Sequence, residues 1–194
     1  LGGLTNLRDL QIGWNQINDY GALVNLKQLR YLNLTSSQIS TIPELGATRS
    51  LERLELRDNP ITTLAGLAEM PSLRRIELNN TQITDLSPLS GSQNLQNISA
   101  RTARLQSLSL NNLPNLNQLE LSDNQITSIV IDGVPNLHWI DLNNNRLTGF
   151  AGFDVASNLS YLYLHNNLIR NVVSIKPMLA STPLRELTLT SNEI

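Results

Sequence analysis

The residues best suited to acid–base chemistry in this 194-residue chain are Glu120 and Asp141, which close the matching phrases Gln118-Leu-Glu120 and Trp139-Ile-Asp141. If these phrases lie on neighbouring strands, the carboxylates approach to about 5 Å, the separation used in retaining glycoside hydrolysis. That chemistry also needs a pocket that excludes water and drives the two pKa values apart. The two histidines, His138 and His165, fall at different positions of their phrases, and with no cysteine in the chain neither has a ligand spacing for zinc. No Gly-x-Ser-x-Gly elbow, phosphate-cradling Gly-x-x-x-x-Gly-Lys or Asp-rich calcium loop is present. The chain is therefore expected to be no enzyme and to hold no metal or cofactor; a carbohydrate-active enzyme is a remote alternative carried by the paired carboxylates alone.

What positions these side chains is a repeat. Leu7-x-x-Leu10-x-Ile12-x-x-Asn15-x-Ile17 returns as Leu51-x-x-Leu54-x-Leu56-x-x-Asn59-x-Ile61 and again as Leu184-x-x-Leu187-x-Leu189-x-x-Asn192-x-Ile194. The first leucines, Leu7, Leu29, Leu51, Leu73, Leu95, Leu116, Leu137, Leu159 and Leu184, mark nine units. This pattern is identified as the leucine-rich-repeat signature. No unit can bury its apolar side alone, whereas a stack shares one continuous core. The expected fold is an α/β solenoid: a right-handed curved superhelix with a parallel concave β-sheet of about nine strands and a 3₁₀ or extended convex side, forming one domain over residues 1–194.

Within Leu-x-x-Leu-x-Leu the alternation has period two, so the fourth and sixth positions point inward and the third, fifth and seventh point to the opposite face. The ninth position holds Asn15, Asn59, Asn124, Asn145, Asn167 and Asn192, with Ser37 and Thr81 as small substitutes. An amide there is expected to pair with turn backbone groups left unsatisfied inside the stack. Back halves such as Ile83-Thr-Asp-Leu86-Ser-Pro-Leu89 suit 3₁₀ turns. Leu105–Leu110 and Ile126–Ile131 alternate like strands and predict extended convex segments. Unit five, where Ala100 and Ala103 replace the core leucine and the asparagine, is expected to disturb packing or curvature. The sequons at Asn33, Asn79, Asn97 and Asn158 sit on or beside strands and are ascribed to composition.

The phrases Gln82-Ile-Thr-Asp-Leu-Ser-Pro-Leu89 and Leu4-Thr-Asn-Leu7 resemble the repeats of bacterial internalins, surface proteins of Listeria and related Gram-positive bacteria. The resemblance implies a concave face that holds a host or cell-surface protein, and a secreted or surface location. The short repeat is shared with eukaryotic phosphatase-regulating proteins, so a cytoplasmic scaffold docking on an enzyme is the alternative.

In register, the third-position column reads Asp9, Tyr31, Arg53, Arg75, Asn97, Gln118, Trp139, Tyr161, Glu186, and the fifth Gln11, Asn33, Glu55, Glu77, Ser99, Glu120, Asp141, Tyr163, Thr188. His165 falls in the seventh and Trp14 in the eighth. Five of the six Trp and Tyr residues lie in these four columns, which cover roughly a fifth of the chain. Rigid rings with a polar edge are enriched where partners bind. The candidate partner-binding residues are Trp14, Tyr31, Arg53, Arg75, Trp139, Asp141, Tyr161, Tyr163 and His165. In the middle, Arg53, Arg57, Arg75 and Arg101 around Glu55 and Glu77 are expected to form a solvated surface that neutralises itself.

A formal charge of −2 with interspersed signs leaves no basic face for a phosphate backbone, so nucleic acid is not expected as a partner. No apolar run reaches about 18 residues, so no membrane insertion is expected. Leu1–Leu7 reads as the tail of a preceding repeat and Ile194 falls midway through a unit, which suggests an uncapped piece of a longer protein. Bare Leu4, Leu187 and Leu189 predict end-to-end self-association.

Overall fold

The computed structural model of the chain describes residues 1–45, 48–67, 70–149, 151, 156–173 and 182–194. Each repeat supplies a three-residue strand to one parallel sheet: β1 Asp9–Gln11, β2 Tyr31–Asn33, β3 Arg53–Glu55, β4 Arg75–Glu77, β5 Asn97–Ser99, β7 Gln118–Glu120, β9 Trp139–Asp141, β10 Tyr161–Tyr163 and β11 Glu186–Thr188. Two longer strands, β6 Ser107–Asn111 and β8 Ser128–Asp132, pair in parallel as a separate convex sheet. They are the extended segments that the alternation at Leu105–Leu110 and Ile126–Ile131 predicts. The remaining convex turns include 3₁₀ segments at Gly21–Asn25 and Ser87–Leu89. Among the described residues there is no α-helix, so the solenoid is built of strands and tight turns.

Register holds along the whole nine-stranded sheet, with Leu32, Leu54, Ile76, Ile98, Leu119, Ile140 and Leu162 aligned and each no more than 1% exposed. Each such side chain contributes about 1.5–3 kcal/mol of burial. Unit five does not break the pattern: Ala100 is fully buried and β5 pairs in register with both β4 and β7. Leu187 and Leu189, expected to be bare, are partly buried against the core, whereas Leu4 is exposed.

The ninth-position asparagines form the predicted ladder. Asn59 is representative: Nδ2 donates to Leu34 O of the preceding unit (2.8 Å) and Leu56 O of its own (3.0 Å), while Oδ1 accepts from the Ser37 and Ile39 amides (3.0 and 3.1 Å). Asn124, Asn145, Asn167 and Asn192 repeat this arrangement toward the end of the stack. Because these groups sit inside the stack, an unmade bond would cost the full desolvation of a polar atom.

Two further periodicities escape the sequence reading. The residue before the first leucine builds a second ladder: Asn94, Asn115, Asn136 and Asn158 donate to the carbonyls of Pro71, Gln93, Pro114 and Pro135 in the unit before. The eighth position is left-handed throughout, at Trp14, Ser36, Asp58, Asn80, Thr102, Asp123, Asn144, Asn166 and Ser191 (φ between 53° and 62°). Short polar side chains tolerate that conformation by bonding locally, which explains Asn, Asp, Ser and Thr at this position and leaves Trp14 as the outlier. Gly13 answers to close approach instead, since a Cβ there would meet Thr35 O at 2.7 Å. Of the sequon asparagines, Asn97 and Asn158 donate their amides to Gln118 and Pro135, and Asn33 and Asn79 accept from the Thr35 and Arg101 amides.

Candidate functional site

The concave sheet carries two different surfaces. Across β3 and β4 the expected solvated charge cluster is in fact half-buried: Glu55 and Glu77 are 2% and 4% exposed, so fifth-position side chains lie down on the sheet. Arginines roof them. Arg53 pairs with both Glu55 and Glu77, Arg57 Nη2 stands 3.2 Å from Glu55 Oε2 and its Nε 3.1 Å from Glu77 Oε2, and Arg75 Nε donates to Glu77 Oε1 at 2.8 Å. Dense lateral packing at about 4.8 Å between strands removes water from carboxylates that a single exposed pair would keep hydrated. Arg101, expected within this group, turns instead toward Glu120 (3.1 Å) and Asp141 (3.8 Å). Arg53 and Arg75 are therefore already engaged within the chain.

Tyr31 belongs to the same network. Its hydroxyl donates to Glu55 Oε1 (3.1 Å), and the Arg53 guanidinium lies 5.1 Å from its ring centroid. Burial and the Glu55 carboxylate raise the phenol pKa against the opposing pull of the Asn33 hydrogen bond and of Arg53, so the hydroxyl stays a donor. Trp14 stands apart at 77% exposure, held in the left-handed conformation at the edge of β1. At about 4.8 Å per strand, β1 and β9 are six steps and roughly 29 Å apart, so the two aromatic ends do not form one patch.

At β9 and β10 the rings meet. Trp139 and Tyr163 lie diagonally across the two strands with centroids 5.5 Å apart and planes tilted by 57°. His138, which the sequence reading leaves outside the site, packs edge-on against Tyr161 at 5.3 Å. Only its aromatic character, one residue before Trp139, signals it in sequence. His165 Nδ1 shares a 2.7 Å hydrogen bond with Thr190 Oγ1, and its backbone amide donates to Asn143 Oδ1. Trp139, Tyr161, Tyr163 and His165 are each partly exposed, so the cluster is an accessible surface and not part of the core. Burial and then the Glu186 carboxylate raise the Tyr163 phenol.

Glu120 and Asp141 do fall opposite one another in register. Glu120 is fully engaged: it accepts from Ser99 Oγ, Arg101 Nε and Gln118 Nε2 at 2.9–3.1 Å. Asp141 Oδ1 accepts the Asn143 amide at 3.0 Å, and burial raises its pKa against the opposing pull of that bond and of Arg101. The cavity beside Glu120, lined by Arg75, Asn97 and Gln118, is about 10 Å³, room for roughly one water and not for a sugar. Both carboxylates share Arg101, which holds them in a structural pairing. Among the described residues, no three His, Cys, Asp or Glu side chains gather as a metal site.

Leucine-rich-repeat profiles match residues 3–24, 49–91 and 115–137, the middle match as two copies. No curated protein sequence matches the chain. In fold, the chain is similar to internalin C2 of Listeria monocytogenes (25% identity, 97% of this chain and 74% of that one, TM-score 0.68) and to internalin F of the same organism (24%, 97% and 63%, TM-score 0.64). The leucine-rich-repeat domain of APL1B superposes with a TM-score of 0.83 at 17% identity, over 95% of this chain and 54% of that one. The repeat, its nine-stranded concave sheet and these likenesses agree: the chain is a leucine-rich-repeat solenoid with a fold similar to that of the Listeria internalins.

Proposed function

We propose that the chain is a protein-recognition module whose partner docks on the concave face, chiefly over β9 and β10. Trp139, Tyr161, Tyr163 and His165 make the central contact. Asp141 borders it; Arg53 and Arg75, on β3 and β4, lie farther along the face, and Tyr31 and Trp14 contribute at the far end of a long partner. The observation that carries this reading is the run of half-exposed rings on adjacent strands of a rigid sheet. Such rings offer large contact area at low entropy cost. The likeness to internalins supports a place in a bacterial surface or secreted protein. No helix among the described residues is long and apolar enough to cross a membrane.

The test is a photo-crosslinking amino acid at position 165, beside these rings, compared with one at position 130, where Val130 is 65% exposed on the convex sheet. A protein cross-linked from 165 but not from 130, and lost when Trp139→Ala, Tyr161→Ala and Tyr163→Ala accompany the probe, is the expected result. Equal cross-linking from both positions, or a cross-link that survives the triple replacement, contradicts it.

A further inference from the structure

The concave face contains one complete assembly of ring, guanidinium and carboxylate. Arg53 lies over the Tyr31 ring, pairs with Glu55, and Glu55 in turn accepts the Tyr31 hydroxyl. The negative face of a ring and a carboxylate both attract a cation, and here one guanidinium satisfies both. At the other end of the sheet the same two ingredients recur without the third. Trp139 and Tyr163 form the tilted pair, Asp141 sits opposite Tyr163 in register, and Glu186 sits opposite Tyr161. Asp141 is 7% exposed; among the described residues the one cation paired with it is Arg101, at 3.8 Å and outside hydrogen-bond reach, while Glu120 and Asp123 add like charge. Among the described residues, no guanidinium or ammonium lies over these rings. In the concave-face columns, the four carboxylates Glu120, Asp123, Asp141 and Glu186 share this half of the face with Arg101 alone.

We infer that β9–β11 is a subsite for a cationic side chain of the partner: an arginine or lysine of a basic, extended segment seats on the Trp139 and Tyr163 rings with its charge facing Asp141 and Glu186. The inference rests on the docking reading above and names the partner's chemistry.

The test uses the full chain carrying Trp14→Phe, so that Trp139 is its one indole, titrated with an acetylated hexa-arginine peptide while Trp139 emission is followed. Hexaglutamate and oligouridine RNA are the comparison probes. A saturable change with the arginine peptide alone is expected. Glu186→Gln and Asp141→Asn, each checked to melt no lower than the parent, weaken it by about two- to fivefold, and added salt weakens it further. No saturable change, equal affinity in both charge variants, or preference for the acidic peptide or the RNA overturns the inference. If the arginine peptide fails while the aromatic triple variant still loses its cross-link, the cationic subsite falls and the docking face stands. If the cross-link survives the triple variant, both fall.

Discussion

The centre of the concave sheet and its β9–β11 end are made of similar residue types, yet they resolve their chemistry differently. Over β2–β4, each ring and carboxylate has found a guanidinium from its own chain: Tyr31 has Arg53, and Glu55 and Glu77 have Arg53, Arg57 and Arg75. Over β9–β11, among the described residues, the rings meet one another and the Glu186 carboxylate beside Tyr163 but no guanidinium, and Asp141 has Arg101 at 3.8 Å. On a repeat sheet, where every unit presents the same positions, the first region is closed by internal pairing, and the second is the one the proposed docking role uses. Column membership alone does not mark a binding residue; what matters is whether the chain itself supplies the complement.

Substitutions in the two regions should therefore separate stability from recognition. The largest effect belongs to the centre. Glu55→Gln with Glu77→Gln keeps volume but leaves three guanidiniums without counter-charge. Because those guanidiniums are themselves about 40–45% exposed, the cost is discounted to about 2–3 kcal/mol, or roughly 4–10 °C in melting temperature, by calorimetry. Cross-linking from position 165 should be unchanged in this variant.

Next is Asp141. Its carboxyl pKa is raised in the folded chain, chiefly by burial, so the native state holds that proton more tightly than the unfolded chain does. This contributes stability below the ordinary aspartate range and is lost as pH rises through the raised value. Asp141→Asn should then melt higher than the parent at neutral pH, by about 1 kcal/mol or 2–4 °C, with the difference vanishing in acid. An unfolding series across that range checks both sign and window.

The smallest effect is at Trp14. Asparagine tolerates the left-handed backbone that Trp14 is forced to adopt, and at 77% exposure little packing is lost. Trp14→Asn should stabilise the chain by about 0.5–1 kcal/mol in denaturant titrations. A large ring kept at that cost, where the other units use Asn, Asp, Ser or Thr, points to use by a partner.

Much of this architecture is legible in the sequence because period-two alternation and a fixed repeat leave the strands one register. Leu54 against Ile76 and Asn59 against the Ser37 and Ile39 amides follow from position number. The burial of Glu55 and Glu77 does not, because it arises from arginine roofs assembled across two adjacent units, and a column read one position at a time shows no lateral packing. The left-handed eighth position was visible as a run of small polar residues, but its meaning needed backbone angles. His138 carries no such mark, because the strand-entry position lies outside the period-two columns of the face.

The central claim is that the rings at β9 and β10 are there for a partner and not to hold the sheet together. Thermal unfolding of the Trp139→Ala/Tyr161→Ala/Tyr163→Ala variant beside the parent tests it most directly. Ring pairs on a half-exposed surface predict a loss below about 2 kcal/mol. A loss above roughly 4 kcal/mol, as for deleting aromatic side chains from a core, would contradict it.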